Sequence, residues 1–251
     1  MMGESSAIAI IPARARSTRF PYKILAPILD KPMIQYVWES ARAAKRPSAV
    51  WVATDDVRIQ EAVAAFGGIA TLTPSHFQSG TDRVAHLAKD WEGDIIVNVQ
   101  GDEPLLPPTS IDGLIEALER NPRCGMATLA VRRQDPKQLQ DENVVKVVFN
   151  DAGEALYFSR APLVACEDGT FYKHIGIYAY RKEVLMRLCA IEPSRLERAE
   201  RLEQLRALEN NISIAVVVVD QDTIAVDTPK DISKVEQVLR QQRERNPIRA
   251  D

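Results

Sequence analysis

The first hundred residues alternate between short apolar runs and segments of helical spacing, and this alternation limits the possible folds most. The apolar runs predict buried strands at residues 7–11, 49–53 and 94–99. The segments with helical spacing predict helices at residues 33–44, 57–66 and 81–90. Strands that are apolar at nearly every position are typical of sheets covered on both faces. The pattern therefore predicts an α/β fold with a mostly parallel sheet.

The second half of the chain is less regular. It contains predicted strands at residues 126–131, 144–149, 174–180 and 212–219, and predicted helices at residues 195–209 and 231–242. No internal repeat or low-complexity linker divides the 251 residues. We therefore predict a single domain over residues 1–251, with a less regular insertion over roughly residues 125–211.

The composition narrows the classes of function. A formal net charge of -3 argues against general nucleic-acid binding. The three cysteines, Cys124, Cys166 and Cys189, lack the spacing of metal ligands and are interpreted as reduced thiols. Neither a signal peptide nor a membrane span is expected. These features predict a cytoplasmic enzyme.

A basic loop follows the first predicted strand. Four cations stand in it: Arg14, Arg16, Arg19 and Lys23. A loop at the carboxyl end of a sheet strand is where open α/β folds bind ligands, and cations there suit a phosphate chain. The loop matches neither the Gly-rich phosphate loop nor the dinucleotide turn. A solvated basic loop is the alternative interpretation.

Two aspartates can supply a metal site beside this loop. Asp102 follows the strand at residues 94–99, and Gly101 before it is expected to allow a sharp turn. Asp227 precedes the last helix. A carboxylate beside a phosphate site favours a hard cation such as Mg²⁺, which uses one or two carboxylates plus phosphate oxygens. Helix or turn capping is the alternative for both.

Further polar residues stand at the ends of predicted elements. Ser79 and Thr81 begin a helix, where they either contact an anion or cap the helix end. Thr54 follows the second strand and has the same two interpretations. His174 and Tyr178 predict a polar pocket wall for an acidic, hydroxyl-rich substrate, although a lone histidine is more often structural. Glu203 and Gln204 either reach into that pocket or are solvated.

These motifs, taken together, closely resemble the 3-deoxy-manno-octulosonate cytidylyltransferase (CMP-Kdo synthetase) family. The matching segments run in order along nearly the whole chain: residues 10–14, 17–23, 31–35, 53–56, 78–83, 97–104, 126–129, 145–148, 155–160, 173–178, 202–206 and 226–229. The segments at 155–160 and 202–206 favour Kdo over sialic acid as the sugar.

The resemblance implies a three-layer nucleotide-diphospho-sugar transferase fold, a homodimer and Mg²⁺. It implies transfer of CMP from CTP to Kdo, with release of pyrophosphate, for lipopolysaccharide or capsule synthesis. The nucleotide part would comprise about residues 7–124 and 212–242, and the sugar and dimer part about residues 125–211.

The resemblance also implies roles for individual residues. Arg14 and Lys23 would hold the triphosphate and, with Asp102, act in catalysis. Asp102 and Asp227 would bind Mg²⁺. The residues around the nucleotide would be Ala13, Arg14, Lys23, Thr54, Ser79, Thr81, Arg83 and Gln100. The residues of the sugar site would be Gln100, Arg160, His174, Tyr178, Glu203 and Gln204.

Three positions depart from the family pattern. Tyr22 stands where the family keeps a glycine, Leu29 and Asp30 replace an Asn-Gly pair, and the segment after Arg160 is short. These departures leave two alternatives open. One is a cytidylyltransferase for a related acid sugar such as 8-amino-Kdo, and the other is a catalytically weak nucleotide-binding paralogue.

Overall fold

The structure, a computed structural model, describes residues 6–15, 20–77, 79–163 and 168–245. The strands are β1 Ala7–Ala13, β2 Pro27–Ile28, β3 Lys31–Pro32, β4 Pro47–Thr54, β5 Ile69–Leu72, β6 Ile95–Asn98, β7 Met126–Arg133, β8 Lys146–Phe149, β9 Ala155–Ser159, β10 Phe171–Arg181 and β11 Ile214–Val219. The helices are α1 Met33–Ala43, α2 Val57–Ala65, α3 Gly80–Ala88, α4 Pro108–Arg120, α5 Pro136–Gln140, α6 Lys182–Ala190, α7 Arg195–Glu200, α8 Gln204–Glu209 and α9 Pro229–Arg245.

One mixed sheet organises the fold, with strand order β11-β7-β10-β6-β1-β4-β5. The strands β6, β1, β4 and β5 are mutually parallel, and β11 is parallel to β7. Strand β10 runs antiparallel to both of its neighbours in this order, and β8 and β9 extend the sheet beside it. The predicted α/β fold with a mostly parallel sheet is confirmed.

The central strand β1 shows why the fold has three layers. Ala9 and Ile11 pack into the hydrophobic core on one face of the sheet, with side chains of α1 and α4. Ile8 and Ile10 pack into the core on the opposite face, with side chains of α3 and α6. Because successive side chains of a strand point to opposite faces, an entirely apolar β1 requires a helical layer on each side.

Sequence periodicity did not reveal every element. The prediction omitted the helices α4, α5 and α6 and the strands β2, β3, β5 and β9. Helix α4 is flanked by prolines, yet Ile111, Leu114 and Leu118 have helical spacing and are fully buried. Proline stands at the first position of α4, where its missing N–H costs no hydrogen bond.

The predicted helix over residues 195–209 is wrong as a single helix. It is broken into α7 and α8 at Arg201, which has a φ of 57°. This left-handed residue ends α7 and gives α8 a new direction. The break decides where Glu203 and Gln204 lie.

No helix in the part of the chain that the structure describes is long and apolar enough to cross a membrane. The division into a nucleotide part and a sugar part stays a prediction. Arg16, Arg19 and Cys166 lie outside the described residues.

Candidate active site

Parallel strands bring the predicted nucleotide residues to one edge of the sheet. Strands β1, β4 and β6 end at this edge, and residues that follow β1 and β6 face a cavity of about 310 Å³. Seven predicted site residues line it: Arg14, Lys23, Ser79, Arg83, Gln100, Asp102 and Asp227. Segments far apart in sequence therefore meet in one polar cavity.

Lys23 is held at this cavity by two hydrogen bonds. Its Nζ donates to Asp102 Oδ2 at 2.6 Å and to the carbonyl oxygen of Val226 at 3.0 Å. Asp227 Oδ1 lies 3.6 Å from the same Nζ. The two predicted metal-binding carboxylates therefore flank one cationic group at the edge of the sheet.

Asp102 and Asp227 fit a magnesium site on the chemistry of their donors. Both carboxylates approach the Lys23 ammonium, which shows that their combined field already favours a cation at this position. Within the described ranges, no group of three or more His, Cys, Asp or Glu side chains could hold a metal. Two carboxylates leave coordination positions for phosphate oxygens and water, as Mg²⁺ requires.

Asp102 lies in the turn after β6 and does not cap the following helix. Helix α4 begins at Pro108, six positions after Asp102, and its N-cap is Pro107. At the start of α9 the carboxylate of Asp231 accepts from Thr228 N and Thr228 Oγ1, and capping by Asp227 stays an alternative.

Arg83 forms a buried ion pair at the wall of the cavity. Its NH2 lies 2.9 Å from Asp55 Oδ2, and both side chains are largely excluded from solvent. Asp55 Oδ1 in turn accepts the backbone N–H of Ala15, at the start of the basic loop. Asp55 thus connects the loop to Arg83, a role that the sequence did not reveal.

The start of α3 faces the same cavity. Ser79 accepts from the Asp82 backbone N–H and donates its hydroxyl to Asp82 Oδ2, in a capping box. Ser79 and Gly80 also line the cavity. Ser79 therefore caps the helix and borders the cavity, while its contact with an anion stays a prediction.

Gly101 lies in the turn after β6, as predicted, and it also packs closely against neighbouring residues. Its φ is not among the positive values of the described residues, so the turn itself does not need a left-handed residue there. A Cβ at this position would lie 2.9 Å from Ile24 Cδ1 and 3.1 Å from the carbonyl oxygen of Pro12. The glycine allows the strand end before Asp102 to approach the turn that carries Lys23.

Three of the predicted nucleotide residues do not line the cavity. Ala13 and Thr54 are completely buried. Thr54 Oγ1 accepts from the Asp56 backbone N–H, so its hydroxyl supports the turn after β4. Thr81 donates its hydroxyl to Glu203. Their predicted contacts with nucleotide stay predictions.

A second cavity of about 550 Å³ brings together three of the predicted sugar residues. His174, Tyr178 and Gln204 line it. The rings of His174 and Tyr178 lie 5.6 Å apart, measured between centroids. Gln204 is 4% exposed, and its Nε2 has no hydrogen-bond partner among the described residues. A buried amide donor without such a partner, at the wall of this cavity, fits an oxygen-rich ligand.

A bulge in β10 places His174 and Tyr178 in the cavity wall. The pairing with β7 shifts between Ile175 and Tyr178, and Thr128 Oγ1 donates into this bulge, to the carbonyl oxygen of Ile177 at 2.9 Å. His174 Nε2 lies 2.9 Å from the same hydroxyl. Burial lowers the pKa of His174 to about 3, so the ring is neutral at pH 7.

The other residues predicted for the sugar site do not line this second cavity. Arg160 borders a third cavity of about 760 Å³, which Asp227 also lines. Its Nε donates to the carbonyl oxygen of Glu200 at 3.0 Å. Glu203 accepts from Thr81, and burial raises the pKa of its carboxyl group. Gln100 lines the nucleotide cavity rather than the second one.

Glu103 was not assigned a role from the sequence. It lines the second cavity, it is 7% exposed, and its Oε2 has no hydrogen-bond partner. Burial and the neighbouring charge of Asp102 raise the pKa of its carboxyl group to about 8. The only sign of a functional role in the sequence was the position of Glu103 beside Asp102, in the segment 100–104.

Comparison with known proteins identifies the family. A sequence model described as cytidylyltransferase matches residues 8–214. A 3-deoxy-manno-octulosonate cytidylyltransferase of Solibacter usitatus is 44% identical over 93% of this chain and 94% of its own length. The chain belongs to the 3-deoxy-manno-octulosonate cytidylyltransferase family. The resemblance inferred from the motifs, and the enzyme class that it implied, are confirmed.

Other members of the family agree with this result. The 3-deoxy-manno-octulosonate cytidylyltransferase of Geobacter sulfurreducens is 48% identical over 92% of this chain and 98% of its own length. A solved structure of CMP:2-keto-3-deoxy-manno-octonic acid synthetase, complexed with CTP, superposes with a TM-score of 0.90. It is 40% identical and covers 95% of this chain and 100% of that one. The family fold therefore extends over nearly the whole chain.

Proposed function

We propose that this protein transfers CMP from CTP to the anomeric hydroxyl of Kdo, giving CMP-Kdo and pyrophosphate. The observation that carries this proposal is the position of Lys23 between Asp102 and Asp227 in a basic cavity. In that arrangement the two carboxylates can bind the metal ion, and the ammonium group of Lys23 can bind the phosphates. The product would serve lipopolysaccharide or capsule synthesis.

The two substrates would occupy separate cavities. The triphosphate would occupy the cavity of Arg14, Lys23 and Gln100, and the acid sugar would occupy the cavity of His174 and Gln204. The nucleotide cavity also contains Asp102, and Glu103, the next residue, lines the sugar cavity. The hydroxyl and the α-phosphorus would therefore meet near residues 102–103.

The chain's own groups act mainly by positioning and by neutralising charge. The sugar hydroxyl attacks the α-phosphorus while pyrophosphate leaves in line. Lys23 and Arg14 would stabilise the negative charge that develops on the phosphate oxygens. The neutral His174 would accept or donate a hydrogen bond to the sugar without adding charge. Asp102 and Asp227 would hold Mg²⁺, which when bound lowers the pKa of the attacking hydroxyl and screens the triphosphate.

The weakly active paralogue is the less favoured alternative. It was suggested by the bulky Tyr22 at a family glycine, but Tyr22 does not line the nucleotide cavity. Its ring lies against Arg58 instead, with 4.2 Å between the guanidinium carbon and the ring centroid. Tyr22 therefore does not narrow the wall of this cavity that the described residues form.

Pyrophosphate release tests the function directly. The protein is incubated with CTP, Mg²⁺ and either Kdo or 8-amino-Kdo, and pyrophosphate is measured against a reaction without sugar. We expect release with Kdo and a lower kcat/KM with the amino sugar. A reversed preference would support the related acid sugar as substrate. Folded protein that releases pyrophosphate with neither sugar would refute the enzymatic proposal.

Two further properties are proposed from the family. We propose a cytoplasmic homodimer, in which residues 125–211 contribute to the subunit contact. Sedimentation velocity on the purified protein measures the mass in solution. A monomer at all concentrations that support full activity would contradict the dimer.

A further inference from the structure

Tyr22 has an unusual backbone for its residue type. Its φ is 55°, in the left-handed region where side chains are strained and glycine is favoured. Leu25 N donates to the Tyr22 carbonyl oxygen at 2.8 Å, which begins the 3₁₀ turn Lys23–Leu25. The strained residue therefore sets the direction of the turn that carries Lys23.

The Tyr22 side chain lies against the first turn of α2. The Arg58 guanidinium carbon is 4.2 Å from the centroid of the ring, within the range of a cation–π contact. The phenolic hydroxyl donates to Asp56 Oδ2 at 3.4 Å, and Arg58 NH2 lies 2.7 Å from that same oxygen. We call these three side chains the Tyr22 clamp.

The backbone beside the clamp is also fixed. Tyr22 N donates to the Ala15 carbonyl oxygen at 3.1 Å, and Ala15 N donates to Asp55 Oδ1 at 3.1 Å. Ala15 and Tyr22, near the two ends of the basic loop, are thus joined to each other and to Asp55, the residue after β4. The clamp adds a side-chain anchor to Asp56, the next residue along.

We propose that Tyr22 and Arg58 are positioning residues that hold the turn Lys23–Leu25 so that Lys23 is already directed at the triphosphate site. This inference rests on the proposed CTP-dependent function. A turn that is ordered before binding loses less conformational entropy when the nucleotide binds. Loss of the clamp should therefore weaken CTP binding more than it changes the chemical step.

A double-mutant cycle tests this role. Arg58→Met removes the cation and keeps much of the side-chain length. We expect it to raise the KM for CTP about two- to fivefold, in line with an exposed cation–π contact, and to leave kcat and the KM for Kdo near wild type. In a Tyr22→Gly background the same substitution should change the KM for CTP little, because its partner is absent.

Two outcomes of the cycle would overturn the proposal. An equal rise in both backgrounds would mean that Arg58 attracts the triphosphate by its charge and not through Tyr22. An unchanged KM for CTP in Arg58→Met would mean that the contact between Arg58 and the Tyr22 ring does not influence CTP binding. Tyr22→Phe keeps the aromatic ring, so its KM for CTP should be closer to the wild-type value than that of Tyr22→Gly.

Amide hydrogen exchange separates this proposal from the proposed function. The amides of Tyr22, Leu25 and Ala26 are hydrogen-bonded in the ligand-free protein. They should exchange faster in Arg58→Met than in wild type. The matched control is Arg120→Met, which removes an exposed arginine paired with Glu116 in α4. If wild type releases no pyrophosphate, the function fails while exchange still tests the clamp. Unchanged exchange in Arg58→Met would refute the clamp.

Discussion

Lys23 Nζ lies 2.6 Å from Asp102 Oδ2, although 79 residues separate them in sequence. The contact joins the basic loop after β1 to the turn after β6. These strands are parallel neighbours, so their carboxyl ends meet at one edge of the sheet. The cation and the carboxylate that the proposed reaction needs are therefore brought together by the strand order.

Asp102→Asn should nearly abolish activity without unfolding the protein. The amide removes one of the two anionic metal ligands, and kcat should fall by about 10²–10³-fold or more. The fold should persist, because the Asp102 backbone carbonyl still accepts from Val226 N. Steady-state pyrophosphate release and thermal unfolding measure the two effects. A folded variant with wild-type turnover would refute the metal assignment.

Gly101→Ala should reduce both stability and activity. Its Cβ would contact Ile24 Cδ1 at 2.9 Å and the Pro12 carbonyl oxygen at 3.1 Å, so the buried Ile24 side chain or the turn carrying Lys23 must shift. Overpacking of this kind costs about 1–3 kcal/mol. Urea unfolding and kcat/KM for CTP are the measurements.

The matched control for that substitution is Gly113→Ala in α4. A Cβ there would meet Val217 Cγ1 at 3.5 Å, an ordinary contact. Because alanine is favoured over glycine inside a helix, we expect the free energy of unfolding of this variant to rise by about 0.5–1 kcal/mol. Its activity should equal that of the wild type. Equal destabilisation by both substitutions would show that the close approach at Gly101 is unimportant.

Arg83→Met should be strongly destabilising. It leaves the carboxylate of Asp55 without its buried partner, and breaking such a pair costs about 3–5 kcal/mol. Arg120→Met removes an exposed pair and should change the free energy of unfolding by less than about 1 kcal/mol. Urea unfolding of the two variants at pH 7 compares these costs. A similar small change in both would mean that the Arg83 pair contributes no more than a surface contact.

His174 should make the protein less stable in acid. Its pKa is about 3 in the folded state, below the ordinary value of about 6.5, so the unfolded chain binds the extra proton between these values. Stability is therefore lost as the pH falls below about 6.5. From pH 7 to pH 5 this residue should account for about 2 kcal/mol of the loss.

His174→Gln should remove that part of the pH dependence. Urea unfolding of both proteins at pH 7 and pH 5 gives the difference in free energy. The activity profile of the wild type should also show no inflection from His174 between pH 5 and 8, because the folded-state ring stays neutral there. An unaltered pH dependence of stability in the variant would contradict the low pKa.

Several features of the fold could be predicted from local pattern. The apolar runs of β1, β4 and β6 identified buried strands, because fully covered strands are apolar at both alternating positions. The predicted helix at residues 57–66 matches α2, and Gly67, just after it, has a φ of 84° that is typical of a helix end. The break of the predicted helix at Arg201 could not be predicted, since a left-handed arginine depends on its surroundings and not on its propensity.

The sequence by itself determined the family, the α/β class and most of the polar residues that could form the site, since these depend on motifs and on periodicity. Only the tertiary structure decided which of those residues meet. It placed Lys23 between Asp102 and Asp227, turned Tyr22 away from the nucleotide cavity, and left Ala13 and Thr54 buried behind it. The physical reason is that a side chain's direction depends on strand order, register and backbone strain. Those are set by packing between residues far apart in the chain.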